Sequence, residues 1–272
     1  MTSTDTAPIQ TGGIVFLTVP GDIKHHFAKR LAKNTDNSLR LMVIQKQEKK
    51  PLLRRLSILY KKAGLGIFKE IWFAFLLRKD KELSRTLEYF REHSSKQKDI
   101  HFEKTLEVSS VNSNEVYYQL KTIAPDLLVV WGGTVIQPRI IETAKHAINL
   151  HFGLCPYYLG AVANQHAVIS NDFAKIGATI HHIEATADTG DVLATVNADL
   201  SKKPRYLFAD LNDQAMDQFL EIATKMYCGK EIHATPQDNT QSKVFYLKDW
   251  LPSVRYKLAK KIQKWERGEY KI

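Results

Sequence analysis

Asn149 and His151 stand two residues apart in Ile148-Asn-Leu-His151, and an acidic stretch, Asp188-Thr-Gly-Asp191, follows farther along the chain. On an extended segment, positions i and i+2 face the same way. An amide beside an imidazole joins two useful groups. One is a fixed donor for an oxygen that gains negative charge; the other is an acid/base whose ordinary pKa lies near neutrality. A carboxylate at Asp188 would hold the imidazole protonated or take up a proton through water. Taken alone, a histidine near an asparagine is commonly structural, so the longer pattern has to decide.

The elements around these residues alternate in type. Gly13 to Val19 is a short, apolar, β-branched run that reads as a buried first strand. Gly21 follows, then an amphipathic helix from Asp22 to Lys33 and a second apolar run from Leu39 to Ile44. This βαβ opening favours a parallel α/β class. The loop Val19-Pro-Gly-Asp22 lacks the G-x-G-x-x-G pattern, so dinucleotide binding has little support.

Farther on, Phe102 to Val108 is a weaker strand, and Asn112 with Glu115 resembles a capping box that opens a helix through Thr122. Pro125 to Trp131 is the strongest strand in the chain, ended by Gly132-Gly133. Pro138 opens a helix to His146. Strands follow at Ala147 to His151, Gly177 to Glu184 and Val192 to Ala198, with helices at Gln165 to Ser170 and Tyr206 to Tyr227. Sites in such sheets lie beyond the carboxyl ends of strands. The segment after Trp131, the Asn149–His151 stretch and the loop to Asp188 all fall there, so three strand ends are expected to meet at one crevice.

The composition is that of an ordinary globular protein: 272 residues, 44% hydrophobic and 25% charged. Disordered, collagen-like and disulfide-scaffold classes are poor readings. Cys155 and Cys228 are too few for a disulfide framework and too far apart for a metal motif, so no metal is expected and a reducing, cytoplasmic setting is the default. The polar start of the chain, residues 1–12, reads as a disordered tail without a signal core. The longest apolar run, Ile71 to Leu77, is seven residues. A spanning helix needs about 20, so no membrane span is expected.

The net charge of +10 is unevenly placed. Lys46 to Glu82 carries +7 and Lys248 to Ile272 carries +5. The first segment belongs to a basic helical insertion at 46–98. Its helices run from Leu52, across a break at Ala63 to Gly66, through Ile67 to Leu77, and then from Lys81 to His93. Phe68, Ile71, Trp72, Phe75 and Leu76 share one face of the middle helix, and that face is expected to pack on the parent domain, a membrane-facing or partner-facing helix being the alternative. Residues 13–229 read as the main domain and 230–272 as a C-terminal appendage. Its basic helix, Val254 to Trp265, has an apolar stripe at Leu258, Ile262 and Trp265 that would dock on the body.

From Pro125 to about Val196 the chain resembles the formyltransferases that use 10-formyltetrahydrofolate. Four pieces carry the resemblance, in order and with about the family's spacing: Pro-Asp-Leu-Leu-Val-Val at 125–130, Ile-Asn-Leu-His-Phe-Gly-Leu-Cys-Pro-Tyr-Tyr-Leu-Gly at 148–160, Gly-Ala-Thr-Ile-His at 177–181, and Asp-Thr-Gly-Asp at 188–191. The resemblance implies a Rossmann-like, mostly parallel sheet and a catalytic trio of Asn149, His151 and Asp188. Asn149 would donate to the oxyanion of the tetrahedral intermediate. His151 would stabilise that intermediate and move protons. Asp188 would polarise the histidine and help deprotonate the amine.

The same resemblance implies a pterin held largely by backbone between Gly133, Thr134, Val135 and Ile136 on one side and Glu184, Ala185 and Asp188 on the other, with tetrahydrofolate as product. His181 would support the trio, and Asp191 would fix its loop. The chain departs from the family where an arginine is usual, at Leu159, which weakens any phosphate grip there.

The donor is better fixed than the acceptor. The loop after the first strand does not resemble the phosphate loop of glycinamide ribonucleotide formyltransferases. The basic tail does not resemble the C-terminal β-barrel of initiator-tRNA formyltransferases. Formyltetrahydrofolate hydrolases carry an N-terminal regulatory domain, and this chain starts almost directly at the first strand. By elimination the chain looks most like N-formyltransferases of nucleotide-linked amino sugars for surface polysaccharide or O-antigen synthesis, whose diphosphate suits basic patches. A glycinamide ribonucleotide or aminoacyl-tRNA acceptor is the alternative within the family.

A basic nucleic-acid-binding protein and a noncatalytic folate-binding scaffold are alternatives from other classes; no nucleic acid is expected as partner. The Phe68 to Leu76 face and the C-terminal helix are candidate homodimer contacts.

Overall fold

A computed structural model of the chain describes residues 11–46, 51–91 and 101–270. The expected tail at 1–10, part of the basic segment at 47–50 and the end of the third insertion helix at 92–93 lie outside the described residues. The chain opens with β1 (Ile14–Thr18), α1 (Asp22–Asn34) and β2 (Leu39–Gln45), the βαβ unit that its apolar runs predict. The insertion follows as α2 (Leu52–Ala63), a tight turn at Gly64–Gly66, α3 (Ile67–Lys79) and α4 (Lys81–Glu88). Asp80 caps α4, its carboxylate accepting from the backbone N–H groups of Glu82 and Leu83 at 3.0 Å. Next come β3 (Thr105–Val108), α5 (Asn114–Ile123), β4 (Leu127–Trp131), α6 (Pro138–Ile141), β5 (His146–His151), β6 (Tyr158–Gly160) and α7 (Ala163–Ile169). The chain continues with β7 (Gly177–His182), β8 (Val192–Asn197), α8 (Pro204–Tyr227), β9 (Lys243–Phe245) and α9 (Pro252–Glu266).

Seven strands form one sheet in the order β3-β2-β1-β4-β5-β7-β8. Pairings from β3 through β5 are parallel; β7 is antiparallel to both β5 and β8. The fold class is therefore the Rossmann-like, mostly parallel α/β sheet expected from sequence. Both faces are covered, which is why β1 and β4 read as continuous apolar runs. Ile14 and Phe16 of β1, with Leu127, Val129 and Trp131 of β4, enter the core under α1 and α8. The alternate residues Val15, Leu17, Leu128 and Val130 enter a second core with Val116 and Leu120 of α5. Phe27 of α1 is stacked on Phe219 of α8 and meets Trp131 edge-on, locking the larger core behind the site.

The tail helix α9 shares that core. Leu258, Ile262 and Trp265 are buried, as their stripe predicts, and Trp265 meets Phe173 and Phe208 edge-on.

Three local expectations need correction. The helix opened by Pro138 ends at Ile141 rather than running to His146. Lys145 and His146 donate their N–H groups to Pro125 and Asp126, so strand pairing claims the segment first. The cap of α5 is Ser113, whose hydroxyl accepts from Val116 N–H, because the Asn112 side chain is engaged elsewhere. The third correction concerns α3. Its inward face carries Glu70, Phe73 and Leu77, and the aromatic stripe expected to pack inward is exposed. Glu70 accepts from the N–H and hydroxyl of Ser253, Phe73 meets Tyr256, and Leu77 joins Leu83 and Ala259, so α9 has taken the opposite side of the helix.

Candidate active site

The register of β5 against β7 builds the site. Asn149 lies directly across from His181, and His151 from Thr179. Thr179 donates to the Gly153 carbonyl and accepts from Cys155 N–H, which fixes the turn after β5. Gly153 has to be glycine, since a Cβ there would fall 2.4 Å from His151 Nε2. With that space open, His151 Nε2 donates to the Tyr158 carbonyl at 2.9 Å. Its Nδ1 lies 3.5 Å from Asp188 Oδ2. Both ring nitrogens thus face oxygen atoms, which fixes the plane of the ring.

His181 Nδ1 donates to the His182 carbonyl at 2.7 Å, which leaves Nε2 bare to accept from the Asn149 amide at 3.1 Å. Asn149 Nδ2 also lies 3.5 Å from Asp188 Oδ1. Asp188 therefore stands between both histidines and the asparagine, its side chain 13% exposed. Burial pushes its carboxyl upward, but the facing His151 and the Gly160 N–H outweigh that and hold it at about 2. It is an anion throughout the neutral range. Cys155 is the opposite case: burial, reinforced by the charge of Asp188, pushes the thiol up to about 12, so it stays neutral and has no nucleophilic character.

The three residues open onto a cavity of about 760 Å³. That size suits a small organic ligand. Gly133, Thr134, Val135, Ile136, Glu184 and Asp188 line it; Ala185 is exposed and does not. The 133–136 wall is held by Asn112, whose amide donates to the Val135 carbonyl and whose Oδ1 accepts from Gln137 N–H, both at 2.9 Å. Thr134 donates to Gln45 at 3.1 Å. Leu159 is buried in β6 and does not face a ligand as an arginine would.

The sequence reading missed the C-terminal contribution. β9 pairs with β6, and Val244 to Leu247 form one wall of the cavity. Gln237 donates its amide to the Asp188 carbonyl at 3.1 Å and to the Gly190 carbonyl, clamping the acidic loop from outside. Strands of three residues carry no readable period, and a lone glutamine in a polar loop carries no motif, so neither feature had a local signal.

An imidazole held between a carboxylate and a backbone carbonyl, with an amide donor two residues earlier on the same strand, is an arrangement able to support addition of a nucleophile to a carbonyl carbon. The sequence model of the family described as Formyl transferase matches residues 75–218. That is more than half of the chain, and the chain belongs to this family. It is similar to methionyl-tRNA formyltransferases of Nitratiruptor sp. (37% identical over 124 residues, 42% of this chain and 41% of that protein) and Levilactobacillus brevis (32% over 123 residues, 44% and 38%). The chain thus spans about two fifths of the length of these curated relatives.

Among solved structures, a sugar N-formyltransferase from Shewanella sp. matches with a TM-score of 0.55 and 13% identity, over 87% of this chain and 78% of that one. An N-formyltransferase from Helicobacter canadensis, in complex with folinic acid and dTDP-3-aminofucose, matches with a TM-score of 0.52 and 15% identity, over 88% and 72%. At these identities the likeness is one of fold.

Proposed function

We propose that the chain is an N-formyltransferase that takes its formyl group from 10-formyltetrahydrofolate and delivers it to the amine of a nucleotide-linked amino sugar. The observation that carries the reading is the meeting of Asn149, His151 and Asp188 in the lining of one cavity. The folate, when bound, supplies an activated formyl carbon. The residues lining the cavity fit such a group: an open backbone at 132–136, apolar walls at Trp131, Phe152 and Phe208, and the polar trio at one end.

Asn149 commits one amide hydrogen to His181 and holds the second only loosely, at 3.5 Å from Asp188. That second hydrogen is the donor for an oxygen gaining charge as the amine adds. His151, held between Asp188 and the Tyr158 carbonyl, is the group placed to support the same charge and to pass protons. A carboxyl held at about 2 is a weak base, so Asp188 serves chiefly to orient and polarise the His151 ring.

The sugar acceptor is favoured by the wall at Val244 to Leu247, which makes the cavity a recess of small-molecule size. Tyr246 is half exposed there with the Lys248 ammonium 4.7 Å from its ring centre, an aromatic and a cation suited to a nucleotide. The Helicobacter canadensis protein of similar fold binds a nucleotide-linked amino sugar. An aminoacyl-tRNA acceptor is the second reading, favoured by the names of the curated relatives.

The test is a transfer assay with 10-formyltetrahydrofolate against 3-amino and 4-amino nucleotide sugars, glycinamide ribonucleotide and methionyl-tRNA. Transfer to a sugar amine, lost in His151→Ala, is expected. Transfer to methionyl-tRNA alone would overturn the sugar acceptor. Folate binding without transfer to any amine would make the protein a noncatalytic folate binder.

A further inference from the structure

The two basic segments, far apart in sequence, are neighbours in space. α3, within the +7 segment, and α4, which starts at its end, pack on α9 of the +5 segment. Among the described residues, 15 large apolar or aromatic side chains are exposed, and eight of them fall between Leu53 and Phe75. They are not scattered. Phe68, Ile71, Trp72 and Phe75 follow the i, i+3, i+4, i+7 pattern of one helix face. That face is opposite the Glu70, Phe73 and Leu77 side already used against α9. Leu65, in the turn between α2 and α3, is 91% exposed, and Phe68, one turn later, 77%. Such a cluster marks a docking surface rather than ordinary exposure.

Charge selects the partner. Arg54, Lys61, Lys69, Arg78 and Lys79 flank the apolar stripe, while Lys62 is paired with Asp249. Two of the acidic groups nearby are spent, Glu70 buried against Ser253 and Asp80 capping α4, and Glu82 is outnumbered by the cations around it. A second copy of the chain would bring one +7 surface onto another. A nucleic acid would meet the lysines but leave Leu53, Leu65 and Ile71 in water, and Trp72 and Phe75 are already stacked on each other at 5.7 Å. An anionic bilayer satisfies both halves of the surface, with cations at the headgroups and apolar side chains below them.

We propose that the exposed face of α2, the Gly64–Gly66 turn and α3 is a peripheral docking surface for anionic membranes. Leu65 and Phe68 enter the headgroup–acyl boundary, and the flanking lysines and arginines lie on the phosphates. No helix among the described residues is long and apolar enough to cross a membrane, so the attachment is interfacial and reversible.

The test is sedimentation of the full chain with phosphatidylcholine vesicles, with and without about 30% phosphatidylserine. Binding is expected only with the anionic lipid and is expected to weaken as salt rises. Trp72 fluorescence should be quenched by brominated acyl chains, and Trp72→Phe should remove that signal. Phe68→Ser with Trp72→Ser should weaken partition about tenfold or more, since both side chains would otherwise leave water. Lys61→Glu with Lys79→Glu should do the same by reversing charge at the headgroups. These positions are exposed, so an unchanged circular dichroism spectrum and formyl transfer in solution confirm that the variants fold.

Absence of binding to the anionic vesicles would overturn the proposal, as would binding that the Phe68/Trp72 pair does not affect. A solution dimer abolished by Phe68→Ser would assign the face to a second copy. Salt-sensitive RNA binding that needs Phe68 and Trp72, without vesicle binding, would assign it to nucleic acid.

Discussion

The Asn149 amide nitrogen lies 3.1 Å from Nε2 of His181, its direct partner across the β5–β7 pair. Because His181 Nδ1 donates to the His182 carbonyl, its Nε2 acts as acceptor and sets the direction of the Asn149 amide. A donor aimed at a developing oxyanion is worth about 10²–10³ in rate. Asn149→Ala should therefore lower kcat by about that factor. His181→Ala leaves the donor present but unaimed, and should lower kcat up to about 10²-fold with little change in KM for the folate. His181→Gln, which keeps an acceptor, should recover part of the loss. Steady-state kinetics of the three variants measures this, and an unchanged kcat in His181→Ala would sink the positioning role.

Asp188 ties pH to stability as well as to chemistry. Its folded carboxyl is held at about 2 against an ordinary value of 3.8. A carboxyl depressed on folding stabilises the protein above its unfolded pKa, and that contribution is lost as pH falls through the folded one. The size is roughly 2 kcal/mol, present above pH 4 and fading toward pH 2. Denaturant unfolding of the native chain and of Asp188→Asn across pH 5 to 2.5 should show the difference between them shrinking over that window. A gap independent of pH would mean that the carboxylate charge is not what the site stabilises.

Much of this site was legible because its chemistry lies on continuous strands. The apolar run before Gly132, the i, i+2 pair of Asn149 and His151, and the acidic loop each carry a local signal. What escaped was decided by partners distant in sequence. Asn112 looks like a cap, yet its amide is taken by the 135–137 backbone. Phe68 and Trp72 look like core residues, yet the buried contact of Glu70 with Ser253 turns their face outward. Periodicity identifies a helix face but cannot say which of two amphipathic sides a later segment such as α9 will cover.

Gly160 joins the acidic loop to the C-terminal wall. Its N–H donates to Asp188 Oδ2 at 2.8 Å, its φ is +80°, and a Cβ there would fall 2.3 Å from the Phe245 carbonyl oxygen. An alanine has to strain the backbone or push β9 away. Gly160→Ala should cost about 1–3 kcal/mol of stability. It should also release Asp188 from one of its donors, so that kcat falls together with Tm. Thermal unfolding and kinetics on the same preparation check this, and native values of both would show that β6 and β9 separate without consequence.

Asn112 offers a test of the folate wall that leaves the trio untouched. It lies outside the cavity lining, but its two bonds to Val135 and Gln137 hold the backbone from which that wall is made, and Arg139 anchors the same loop through Asn112 O and Asn114 Oδ1. Asn112→Ala removes both side-chain bonds and leaves Asn149, His151 and Asp188 in place. Loss of positioning that acts before chemistry appears in KM rather than kcat. The expected result is KM for 10-formyltetrahydrofolate raised about 30-fold, from roughly 1 kcal/mol for each of the two neutral bonds lost, with kcat within about twofold of native. Asn112→Asp keeps the acceptor for Gln137 N–H but loses the donor to Val135, and should fall between the two. Equal losses in kcat and kcat/KM would instead place the 133–136 wall in contact with the reacting centre.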